Sequence, residues 1–335
     1  MSFFLLYWAF CITTAQPVHT NTVVVYQQTL QRLRAQRQTS SVQKQKGILA
    51  RHPTLATTAL ATGVPIVTTL LGMQMWEWGN TTHFKVGSDG GFERHNTHGG
   101  ADKWGHAWSF YFGTRLFTAY FDAVYPQNHL RAILLGASIS WGASVAVEFG
   151  DGFASVYGFS YTDLIANTLG VALAVAQELW PAVDDLVDFS VHLLFSPGFM
   201  NPQNPNHFDI ATDYSGYLFT LHLRLGGLGL SARNPLRYLR LDAGYFTRCY
   251  EVMDGCSRES MGTDRFETRN VYVGISFDIA RMIRDHGSQH NSWLQFFGTA
   301  TRYYNIQGFF QTGINFDLNH SGTVNLGTAT NSQLR

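Results

Sequence analysis

The chain has 335 residues, with 23 Lys and Arg against 23 Asp and Glu, so its formal charge is zero. Charged and aromatic residues each make up 14% of it, an apolar balance for a soluble protein of this length. Zero net charge argues against a general attraction to nucleic acid, and no glycine-rich loop has phosphate-loop or Rossmann spacing.

Residues 1–15 read as a candidate signal peptide. The apolar run Phe3 to Ile12 precedes Thr13-Thr14-Ala15-Gln16-Pro17, and cleavage is expected after Ala15. Bulky Phe10 ahead of Cys11 does not make a lipobox, so no lipid anchor is expected there. Residues 16–53 form a basic polar segment: no acid occurs before Glu77, whereas Arg32, Arg34, Arg37, Lys44, Lys46 and Arg51 do. Without interleaved aromatics this pattern suits a solvated or membrane-surface tail better than a nucleic-acid arm.

A helical domain is expected over 54–198. Thr54 to Trp76 is the longest uncharged run, long enough to cross a bilayer, although Pro65 would kink it; a buried core helix is the other reading. A Gly- and His-rich loop follows, from Gly87 to Gly100. Three helices are then expected over Trp104 to Val124, Leu130 to Glu148 and Asp163 to Trp180. The small residues of the second, Gly136 and Gly142 among them, permit close helix contact. A fourth helix is expected over Val183 to Phe195, with Asp184, Asp185 and Asp188 near its start.

Pro197 to Pro205 breaks the pattern, and an antiparallel β-domain is expected over 199–335. Period-two alternation marks Phe219 to Leu225, Leu239 to Tyr245 and Val271 to Ile279 as strands with one apolar and one polar face. Two further strands are expected near Trp293–Tyr304 and Gln307–Leu318. The fold class is therefore α+β: a membrane-associated helical bundle followed by an antiparallel sheet, or by a small partial barrel of the outer-membrane kind. Cys249 and Cys256 flank the Asp254-Gly255 turn signal and form a candidate disulfide.

Polar residues interrupt the apolar helices at three places. Asp102, Lys103 and His106 open the first; Glu148 and Asp151 close the second; Ser160, Asp163 and Asn167 open the third. Ionisable groups set among apolar segments are costly to desolvate unless they pair, so these seven and Ser160 are expected to meet in one site.

The ordered set Asp102-Lys103-x-x-His106, Gly142 with Glu148 and Asp151-Gly152, then Gly158-x-Ser160-x-x-Asp163-Leu164 with Asn167 and Gly170, resembles the YfiM-like predicted periplasmic lipoproteins, a domain of unknown function. It is distantly similar to the VanZ-like membrane family. The resemblance covers roughly residues 80–180. It implies a helical unit in the bacterial cell envelope, exported to the periplasm or outer membrane, with an inner-membrane location also open, and it brings no established reaction.

The first functional reading is structural or scaffolding: Asp102 caps its helix, Lys103 pairs with Glu148 or Asp151, Asp163 caps the third helix, and the network fixes register. The alternative is a membrane-surface hydrolase or transferase acting on a lipid-linked or cell-wall substrate. In it His106 is the acid or base, Glu148 or Asp151 orients it, and Lys103 stabilises negative charge. A subordinate reading places a metal on His95, His98, His106 and nearby carboxylates, a mixed donor set that suits zinc. No cofactor or metal is assigned, and the expected partners are membrane lipid or other envelope components rather than nucleic acid.

Overall fold

The computed structural model describes residues 47–87, 90–196, 198–203, 210–250, 267–287, 291–306, 311–319 and 324–326. The candidate signal peptide, most of the basic segment and Cys256 lie outside them. Cys249 is disulfide-bonded.

Proline at the first helical position starts α1, Pro53–Met75, and Pro65 lies within it. Ala101–Val124 forms α2, His129–Asp151 forms α3 and Tyr161–Leu179 forms α4. Asn128 caps α3 by accepting from the Arg131 amide, and Ser160 caps α4 by accepting from the Asp163 amide. Glycine lets these helices approach closely. A Cβ on Gly136 would lie 2.7 Å from the Thr118 amide nitrogen, and one on Gly170 would lie 2.0 Å from the Ala107 carbonyl oxygen. Helix α2 is thus clamped between α3 and α4. Helices α1 and α3 are long and apolar enough to cross a membrane by length and composition alone.

The fourth expected helix is corrected. Only Pro181–Leu186 is helical (α5), and Val187–Leu193 is strand β1. From Val187 onward apolar and polar residues alternate strictly, a period of two that the aspartates at 184, 185 and 188 had masked. The expected strand at 293–304 is corrected in the opposite sense. After β2 (Tyr217–Arg224), β3 (Leu239–Arg248), β4 (Thr268–Phe277) and the short α6 (Ile279–His286), the chain forms helix α7, Ser292–Ala300. The Asn291 side chain caps it by accepting from the Leu294 amide. Short β5 (Tyr304–Ile306), β6 (Gln311–Asp317) and β7 (Val324–Leu326) complete the described strands.

These seven strands form one open sheet in the order β5-β1-β2-β3-β4-β6-β7. Its pairs are antiparallel except β1 with β5, which is parallel, so the sheet is mixed rather than wholly antiparallel. Register aligns whole rows of like residues. Leu223, Leu241 and Ile275 are successive partners across β2, β3 and β4, as are His222, Asp242 and Gly274 one step away. At the β1–β2 end the apolar face is covered by the helices: Tyr111 of α2 and Ala174 of α4 share a core with Phe189, Val191, Tyr217, Phe219 and Tyr303.

Candidate functional site

The left-handed backbone of Gly99 and Gly100, at φ 61° and 89°, turns the chain from the glycine-rich loop into α2. Gly100 stands at the cap position without a side-chain cap, so Asp102 does not cap α2; it lies in the first turn, buried. Lys103 Nζ is 2.6 Å from Asp102 Oδ2 and 2.6 Å from Asp163 Oδ1, which joins the starts of α2 and α4. The sequence pointed this lysine at Glu148 or Asp151, and the structure corrects that assignment. Burial works against the ammonium, but Asp102 and Asp163 outweigh it and hold the Lys103 pKa above its ordinary value.

Ser160 and Asp163 have capping-box spacing, and half of that pair forms: Ser160 Oγ accepts from the Asp163 amide, while the Asp163 carboxylate, expected to cap, pairs with Lys103 instead. The Ser160 hydroxyl is 3.0 Å from that of Thr162.

His106, one turn along α2, has Nδ1 3.0 Å from Asn167 Oδ1 of α4. Because an amide oxygen can only accept, the ring donates from Nδ1, and a neutral imidazole then carries its lone pair on Nε2. The Asn167 amide group donates in turn to Glu148 Oε1 at 3.0 Å, at the end of α3. His106 Nδ1 lies 3.4 Å from the same oxygen, and Nε2 lies 4.0 Å from Asp163 Oδ1. All three helices therefore contribute to one hydrogen-bonded chain, Glu148–Asn167–His106.

Desolvation raises the Glu148 pKa to about 7, with His106 opposing. Burial likewise raises Asp151 to about 6, against the indole hydrogen bond that Trp78 donates to it at 2.7 Å. For His106, burial disfavours the imidazolium, yet Asp163, Glu148 and Asp102 prevail and raise its pKa. His98 is shifted the other way, chiefly by burial.

A cavity of about 470 Å³ opens against this chain. His98, Asp102, His106, Asp151, Ser160 and Asp163 line it, with Tyr214 from the segment before β2. Glu148 and Lys103 do not line it. They hold His106 and Asp163 from behind, so the direct part given to Lys103 by the sequence reading has no geometric counterpart. Sequence reasoning missed Trp78 and Tyr214, which no spacing relative to the polar motifs connects to the site.

His106, Glu148 and Asp163 bring one potential ligand atom each to within 4.8 Å of one another. They are the group of that kind found among the described residues. The donor set already has a cation: the Lys103 ammonium sits on Asp163, and His106 Nδ1 is committed to Asn167. Of the expected mixed donor set, His106 and carboxylates meet here, whereas His95 is exposed and does not join them.

The model of a family described as predicted periplasmic lipoprotein (DUF2279) matches residues 88–178. That span includes α2, α3, most of α4 and every polar residue named above except Trp78 and Tyr214. The match is consistent with an exported envelope protein, periplasmic or outer-membrane associated. Searches of curated proteins and of solved structures gave no match.

Proposed function

We propose that this chain is an envelope hydrolase or transferase whose site works by general acid–base chemistry on a lipid-linked or cell-wall substrate. One observation carries the reading: His106 faces the cavity while a buried Asn167–Glu148 chain fixes its other nitrogen. That is how a ring is oriented for proton transfer. With Asp151 and Glu148 raised toward neutrality, acids and bases near pH 7 stand side by side. In the proposed reaction Asp151 takes a proton from attacking water or acceptor hydroxyl, and His106 returns one from Nε2 to the leaving oxygen. Asp163, pinned by Lys103, supports the imidazolium. The finer resemblance to YfiM-like and VanZ-like proteins agrees with a helical unit at a membrane surface.

A scaffolding role is the second reading, favoured by the shielded Asp102–Lys103–Asp163 cluster, in which the cation and carboxylates satisfy one another. Complementation of a deletion strain separates the two. His106→Gln and Asp151→Asn should fold normally by circular dichroism yet fail to restore envelope integrity. If both restore it fully, the acid–base reading is wrong and the network is architectural.

A further inference from the structure

In the sheet beyond the helices, polarity is inverted. Across β2, β3, β4 and β6 the face carrying Leu223, Leu241, Val273, Ile275, Ile314 and Phe316 is exposed, Val273 by 52%. The opposite face carries His222, Asp242, Asn270, Ser276 and Asn315, and all are buried. A sheet edged by water hides its apolar face and wets its polar one. Here the polar face is buried and in part bonded within itself: His222 Nδ1 donates to Asp242 Oδ1 at 2.6 Å, and the Ser276 hydroxyl donates to the same oxygen at 3.0 Å, while Asn270 Oδ1 and Asn315 Oδ1 accept no hydrogen bond from the described residues. We infer that the exposed apolar face of β3, β4 and β6 is a membrane-facing wall whose partner is the acyl-chain region of a bilayer.

Two features select hydrocarbon over a protein partner. The apolar rows end at charged or polar groups on both sides. At one end Arg237 pairs with Asp285 at 2.7 Å; at the other Arg269 donates to Asn319 at 2.7 Å. A mainly apolar groove between sheet and helices also borders this face at Leu221, lined by Ile165, Leu169, Leu173 and Phe189, with Lys103 and Thr162 among its lining residues. Inversion of face polarity between charged rims is the pattern of a sheet whose outer solvent is lipid, with the polar groups turned inward.

The test uses the full-length protein reconstituted into phosphatidylethanolamine–phosphatidylglycerol vesicles. Val273→Cys and Ile314→Cys are labelled with bimane, with Arg233→Cys in an exposed turn as the aqueous control and the unsubstituted chain as the labelling background. Brominated acyl chains should quench the two belt positions by about half and leave the control unchanged, as expected for side chains in hydrocarbon; aqueous iodide should do the reverse. Should Val273→Cys fail to fold, Ile275→Cys on the same strand provides the same measurement. Belt positions quenched by iodide, or shielded from both quenchers as beneath a second copy or another protein, would overturn the inference.

Discussion

Glu148 is 1% exposed and has a neutral amide, an imidazole and two other carboxylates for electrostatic company. Its ordinary pKa of 4.5 rises to about 7 on folding. Between those values the native chain keeps a proton that the unfolded chain has released, so stability falls as pH rises through the window. His106, also raised, is stabilised in its charged form and contributes a loss in the same direction as pH climbs past its folded pKa. Glu148→Gln keeps the side-chain size and the acceptor for Asn167 while removing the titration. Between pH 5 and pH 8 the wild-type protein should lose about 2 kcal/mol, and the variant should lose markedly less. Chemical unfolding of detergent-solubilised protein at four pH values measures it. Identical slopes for the two proteins would place the titrating proton elsewhere.

At the scale of elements, two glycines of the same sequence motif have opposite roles. Gly170 is where α4 crosses α2, and a Cβ there would overlap the Ala107 carbonyl, next to His106. Gly142 lies on the outer side of α3 with nothing within 4 Å of a built Cβ. Gly170→Ala should therefore cost about 1–3 kcal/mol by forcing the helices apart, and should stretch the His106–Asn167 bond. Gly142→Ala should gain about 0.5–1 kcal/mol from helix propensity. Denaturant midpoints of the two variants decide it; equal shifts would show that α2 and α4 do not touch as closely as Gly170 requires.

The same contrast explains what the sequence disclosed. Helices α2, α3 and α4 were legible because their apolar runs are long and bounded by Ser160, Pro126 and Pro181. The meeting of their polar residues followed from desolvation cost alone. Partner choice did not: whether Lys103 reaches Asp163 or Glu148 depends on the crossing that Gly170 permits, which one-dimensional spacing does not encode. The period of two in Val187–Leu193 is masked by the aspartates at and before its start, whereas the short aromatic segment Ser292–Ala300 satisfies either period, and tertiary packing decides it.

At the scale of the molecule, helices and sheet are joined through two kinds of contact. The aromatic core takes Tyr111 from α2 and Ala174 from α4 onto Phe189, Val191, Tyr217 and Phe219 of β1 and β2. Beside it runs an ion-pair chain. Arg115 of α2 contacts Glu178 and Asp184 at 2.9 Å each, and Arg302, after α7, contacts Asp184 at 2.8 Å and Asp188 at 2.6 Å. These links make α2, α4, α5, β1 and the turn after α7 mechanically continuous, so the helical and strand-rich regions should unfold as one cooperative unit. Phe189→Ala removes a buried ring from the middle of that junction and should cost about 3–5 kcal/mol. Hydrogen exchange followed by mass spectrometry across a denaturant series provides the readout. Peptides from α2 and α4 and peptides from β3 and β4 should lose protection at one midpoint in the wild type, and at one lower midpoint in the variant. A variant in which the strand peptides keep the wild-type midpoint while the helical peptides shift would show that the two regions stand independently, and that the shared core is a docking contact rather than the centre of the fold.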